Sequence, residues 1–164
     1  MRLFTVGVWQ TRCVAMGMPE IFKNSPFDCK WAIDGARNPL LEIQRDPVDV
    51  IVAYRKIPTF ASRVAAILKS HPETRVVATT SSQINKAEAE YLVEELGVNS
   101  LVRLPGTEED ESSFFQALTT VAEGRVIFEH TIVSREIIAQ LQPRLHVIGA
   151  PWTGKLDKRY ALVA

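Results

Sequence analysis

Short apolar runs alternate along this chain with segments of helical period. Leu3 to Val8 is an apolar run that predicts a strand. Phe27, Cys29, Trp31 and Ile33 alternate with polar neighbours, which predicts a strand with all four on one face. Val48 to Ala53 is apolar enough for a strand buried on both sides, and Arg75 to Thr79 and Leu101 to Leu104 supply two more. Thr11 to Asn24 has helical spacing but contains Pro19, which predicts a kink or two short pieces. Asn38-Pro39 fits an N-cap and first helical position, opening a helix to about Arg45. Phe60 to Ser70 sets Val64, Ile67 and Leu68 on one stripe, with Pro72 beyond its end. Asn85 to Leu96 predicts a helix with Tyr91, Leu92 and Leu96 inward, closed by Gly97. Ser112 or Ser113 is placed to cap a further helix through Glu123, ended by Gly124.

Five strands and five helices in alternation by residue 124 imply an α/β fold. The expected architecture is a five-stranded parallel sheet with helices on both faces, joined by right-handed crossovers. Such sheets hold their ligands beyond the carboxyl ends of the strands. Trp9, Gln10, Tyr54, Thr80 and Leu104 all fall at those ends, so they are expected to converge. After residue 124 comes an extension over 125–164. Within it Thr131 to Gln142 reads as an amphipathic helix carrying Ile132, Val133, Ile137, Ile138 and Leu141, with Pro143 as the stop.

Composition narrows this little. One domain of 164 residues buries a core without disulfides or metals. Lys plus Arg and Asp plus Glu are both 19, so no net field draws the chain to nucleic acid, and direct nucleic-acid binding is not expected. Arg55-Lys56 and Lys155 to Arg159 read as solvated charge. Cys13 and Cys29 lack CxxC spacing and read as reduced. The start is too short for a signal sequence and no apolar run approaches the roughly 18 residues of a membrane span. A cytoplasmic protein without a cofactor is the expectation.

Three stretches carry a resemblance: Ala32-Ile33-Asp34-Gly35; Pro47 to Val52 with Pro58; and His71-Pro72-Glu73-Thr74-Arg75-Val76-Val77-Ala78-Thr79-Thr80. Gly97 followed by Leu101-Val102-Arg103-Leu104-Pro105 adds a fourth. In order and spacing, residues 2–124 resemble the receiver domain of bacterial response regulators, above all that of LuxR/NarL-type regulators. The resemblance implies the CheY-like, flavodoxin-like three-layer fold. It also implies a cation-binding acidic pair after the first strand, a phospho-acceptor aspartate after the third, a Ser/Thr after the fourth and a lysine after the fifth. Here those positions hold Trp9 and Gln10, Tyr54, Thr80 and Leu104, and only Thr80 fits. No Asp or Glu lies between Arg2 and Met18 or between Val50 and Glu73, so a slipped alignment restores nothing. The chain therefore looks like a pseudo-receiver: it keeps the fold and has lost the phosphorylation chemistry. Receivers commonly act through the face of the fourth helix, fifth strand and fifth helix. That face predicts contacts at Tyr91, Glu95, Leu101, Arg103 and Phe115, with a protein partner or a second copy of the chain. The competing reading is a small regulatory domain that binds a metabolite or nucleotide at the strand ends.

Other motifs carry less. Gly149 to Lys155 matches GxxxxGK, but Leu156 stands where the magnesium-binding hydroxyl belongs. His71, His130 and His146 lack metal-ligand spacing. No acid, base and nucleophile converge, so catalysis is not expected.

Overall fold

A computed structural model describes residues 3–142 and 156–163. Seven strands form one sheet in the order β2-β1-β3-β4-β5-β6-β7. They are β1 (Phe4–Gln10), β2 (Phe27–Asp34), β3 (Val50–Tyr54), β4 (Arg75–Thr79), β5 (Ser100–Val102), β6 (Val126–Glu129) and β7 (Tyr160–Val163). All neighbours are parallel except β6 and β7. The expected five strands are all present in a mostly parallel sheet, and two more from the extension continue it. Val126, Ile127 and Phe128 are fully buried, so β6 gains more beside β5 than it would on the surface. The exposed β5 edge disappears in the process.

The helices are α1 (Arg12–Phe22), α2 (Pro39–Arg45), α3 (Phe60–Ser70), α4 (Lys86–Glu90), α5 (Glu108–Ala122) and α6 (Arg135–Gln140). α1 is continuous through Pro19. Asn38, Asn85, Thr107 and Ser134 cap their helices, each accepting from a backbone N–H in the first turn. Thr107, not Ser112 or Ser113, therefore opens α5. The acids Glu108 to Glu111 of its first turn suit the positive end of the helix dipole. The extension's helix is shorter than the apolar pattern 131–142 implies. Ile132 and Val133 are buried in the turn before it.

Two apolar layers flank the sheet. Val6, Val8, Val52, Val77 and Ile127 meet Phe22 of α1 and Phe114 and Leu118 of α5. On the other side Trp9, Ile51, Ala78 and Phe128 meet Ile43 of α2, Ile67 of α3 and Leu92 beyond α4. The uniform face expected for β2 is split. Register shifts between Val6 and Gly7, so Cys29 pairs with Val6 and Trp31 with Gly7. The extra residue, Lys30, is a bulge that reverses the alternation. Phe27 and Cys29 join the first layer, Trp31 and Ile33 the second. The Trp31 indole lies where a side chain on Gly7 would sit: a Cβ there would be 2.3 Å from its Cζ2.

α4 runs directly into a π-helical segment, Tyr91–Leu96, which ends at Gly97 with φ 91°. Wider turns shift the phase of the apolar stripe. Leu92, Val93 and Leu96 go inward, while Tyr91, expected inside, is 43% exposed. Among the described residues no helix is long and apolar enough to cross a membrane. Gly149 to Lys155 lies outside the described residues.

Candidate functional site

A cleft of about 330 Å³ opens at the carboxyl ends of β1, β3, β4 and β5. Gln10, Thr11, Val14, Tyr54, Thr79, Thr80, Ser81, Arg103 and Leu104 line it. Four of the five residues expected to converge are therefore together. The fifth, Trp9, is not. Adjacent residues of a strand face opposite ways, so Trp9 and Gln10 cannot share one cavity. Trp9 is fully buried in the layer beneath α2 and α3. It stacks on Phe60 with centroids 6.1 Å apart, and the Arg63 guanidinium lies 5.9 Å from its ring. No aromatic ring replaces the cation site from that position.

Gln10 is 1% exposed and bridges three strands. Its amide nitrogen donates to Thr79 Oγ1 at 2.9 Å and to the Val52 carbonyl at 3.3 Å. The Thr79 hydroxyl lies 3.4 Å from both Gln10 Oε1 and the Ala53 carbonyl. Thr79 was legible: it stands two residues after Val77, so period two puts it on the face of Gln10. Thr80 Oγ1 lies 3.5 Å from Arg55 Nη2 and 3.4 Å from the Ser82 amide. Arg55 pairs with Glu88. Tyr54 is half-buried at the end of β3, and Leu104 packs on the α1/α5 layer.

Arg103 was expected on an outer face and instead lines the cleft. Its Nη1 donates to the Ser81 carbonyl at 2.8 Å and its Nε to Thr131 Oγ1 at 3.1 Å. Glu129, only 4% exposed at the end of β6, lies 3.4 Å from Nε. Its Oε1 accepts from the Arg103 backbone amide at 3.3 Å, and its Oε2 accepts from the Thr131 hydroxyl. Glu129 gave no sequence signal, because only the pairing of β6 with β5 brings it here.

The remaining residues of the expected contact face separate. Leu101 is fully buried and pairs with Phe128 of β6, so β5 offers no edge. Tyr91 and Glu95 are exposed on the segment after α4. Phe115 lies across the sheet on α5, half-buried, with its ring 5.6 Å from Phe22 and 6.0 Å from Phe114. The five do not form one surface.

Of the basic candidates, Arg159 bonds Asp110 at 2.9 Å and Asp157 at 3.3 Å, tying β7 to α5. Cys13 and Cys29 are both free thiols, and burial pushes Cys29 up to about 11. Burial and nearby Arg135 hold His130 below the usual imidazole range. Among the described residues no three His, Cys, Asp or Glu side chains cluster as a metal site requires.

No family model matches the chain. No curated protein matches it. Solved structures do. A LuxR-family two-component response regulator from Aurantimonas sp. SI85-9A1 is 16% identical with a TM-score of 0.61, over 85% of this chain and 94% of that one. The signal receiver domain of the response regulator NarL from Mycobacterium tuberculosis is 21% identical with a TM-score of 0.60, over 76% of this chain and all (100%) of that one. A structure of two RcsB dimers bound to two parallel DNAs is 13% identical with a TM-score of 0.61. This match covers 80% of this chain and 66% of that one. At these identities the likeness establishes the fold alone, that of the response-regulator receiver domain. Because one neighbour is a DNA complex, the expectation that nucleic acid is not a direct partner gains no support.

Proposed function

We propose that this chain is a regulatory module on a receiver scaffold that acts through protein contact and not through phosphoryl transfer. One observation carries the reading. The cleft at the strand ends is lined by amide, hydroxyl, phenol, guanidinium and alkyl groups, and none of its lining side chains is a carboxylate. A hard divalent cation takes oxygen ligands, with carboxylates supplying the charge. Phosphoryl transfer needs the positive charge of that cation against the negative charge of the phosphoryl oxygens. Tyr54 stands where the acceptor carboxylate would be, and its phenol offers a single oxygen where a carboxylate offers two.

The partner is a protein, and a second copy of the chain is the partner that can be tested directly. With β5 covered by β6, the contact region moves to the flank after α4, around Tyr91 and Glu95. No acid, base and nucleophile converge in the cleft, so the module is read as non-catalytic.

Incubation with acetyl phosphate and magnesium, followed by intact-mass measurement, tests this. The mass is expected to stay unchanged. Sedimentation velocity over a concentration series is expected to give the same distribution with and without the donor. Stoichiometric gain of a phosphoryl group, or association that appears only with the donor, overturns the reading.

A further inference from the structure

The cleft that no longer suits a phosphoryl group retains the features of a small-molecule site. Its volume of about 330 Å³ lies at the low end of the range for such sites, which is roughly 300–1,000 Å³. Val14, Leu104 and the Tyr54 ring give it an apolar wall. Three of the lining residues carry hydroxyls, Thr11, Tyr54 and Ser81, that make no hydrogen bond among the described residues. Hydroxyls both donate and accept, so they satisfy a neutral carbonyl, amide or alcohol.

The charges exclude another class. Arg103 is the one cation in the lining, and it is already committed. Glu129 is buried and depends on Arg103 and Thr131 for its bonds. An anion that drew the guanidinium away would take from the buried Glu129 its opposite charge, leaving the carboxylate only the Arg103 backbone amide and the Thr131 hydroxyl, and losing the partner of a buried charge is costly. Arg55, behind Thr80, is matched by Glu88. The cleft and its surroundings are therefore electrostatically balanced. The phosphates of a nucleotide would find no uncommitted cation in the lining.

We infer that this cleft binds a small uncharged organic molecule, with an apolar body against Val14, Leu104 and Tyr54 and a hydrogen-bonding head at the Thr11, Tyr54 and Ser81 hydroxyls. The inference rests on the loss of phosphoryl chemistry proposed above. It is read out by binding alone, so its failure leaves the mass measurement untouched.

Benzamide and benzoate share one shape and differ in charge, which makes them suitable probes. In ¹H–¹⁵N NMR titrations of the full chain, benzamide is expected to shift the amides of Thr11, Tyr54, Ser81 and Leu104 saturably. Benzoate is expected to bind at least about tenfold more weakly, a gap of ~1.4 kcal/mol. Inorganic phosphate is expected to shift none of these amides. Tyr54→Phe keeps the ring and removes the phenol, and is expected to weaken benzamide about fivefold, the worth of one net hydrogen bond. Thr11→Trp places an indole on the exposed rim and is expected to abolish the shifts without touching the core. Tight binding of benzoate or phosphate overturns the inference. So does the absence of saturable benzamide shifts in the cleft, or their indifference to both substitutions.

Discussion

Substituting Gly7 by alanine tests the link between the β2 bulge and the two-layer core. A Cβ at residue 7 would lie 2.3, 2.5 and 2.5 Å from three atoms of the Trp31 indole. Carbon atoms settle at roughly 3.5–4.0 Å, so more than ~1 Å of overlap must be relieved. Trp31 cannot slide freely, because its Nε1 donates to the Asp46 carbonyl at 3.1 Å. Moving the ring costs that bond, a net ~1 kcal/mol. Overpacking itself costs about 1–3 kcal/mol. The sum predicts a loss of ~2–4 kcal/mol, or about 4–16 °C in Tm for a domain of this size. Chemical denaturation with a linear extrapolation measures it. In the Trp31→Leu background the same Gly7→Ala change is expected to cost less than about 1 kcal/mol, so a double-mutant cycle shows strong coupling. A Gly7→Ala loss under ~0.5 kcal/mol, or additive behaviour of the pair, refutes the contact and the register built on it.

Two further outcomes follow from the extension. Phe128 is fully buried in β6, so Phe128→Ala is expected to cost ~3–5 kcal/mol in denaturant unfolding, in a single transition; a loss near zero would mean that the sheet ends before residue 126. β7 is expected to loosen in acid. Its anchor depends on Asp110, held below the usual carboxylate range by the Arg159 guanidinium, and on Asp157, held there by the Arg159 backbone amide and then the Ser113 hydroxyl. A depressed carboxyl contributes its stability above the unfolded value near ~4, and loses it as pH falls through the folded value. Hydrogen exchange at Tyr160 to Leu162 is expected to accelerate below pH ~4, ahead of that in β3. Equal protection of both strands across that range would rule out this anchor.

Much of the sheet was present in the one-dimensional pattern. Val50 to Ala53, Phe60 to Ser70 and Arg75 to Thr79 have period and punctuation that admit one reading, and the structure forms those elements. The cleft position was also legible, since parallel strands carry their sites at their carboxyl ends. Gln10, Tyr54, Thr80 and Leu104 meet there as expected. Trp9 was misplaced by reading two neighbouring residues as one site, against the alternation of a strand.

Local pattern determined the first five strands and most of the helices, though not β6 or β7, and which residue types stand at the carboxyl ends of those strands. It could do so because period and capping are properties of near neighbours along the chain. The partner of each surface was decided only by the tertiary structure. The bulge at Lys30 sets Trp31 beside Gly7 across the β1–β2 pairing. Leu101 is interior because β6 returns to β5, and Arg103 turns into the cleft because Glu129 arrives from 26 residues further on. Such contacts depend on which distant segments pair, and a one-dimensional period contains no record of that.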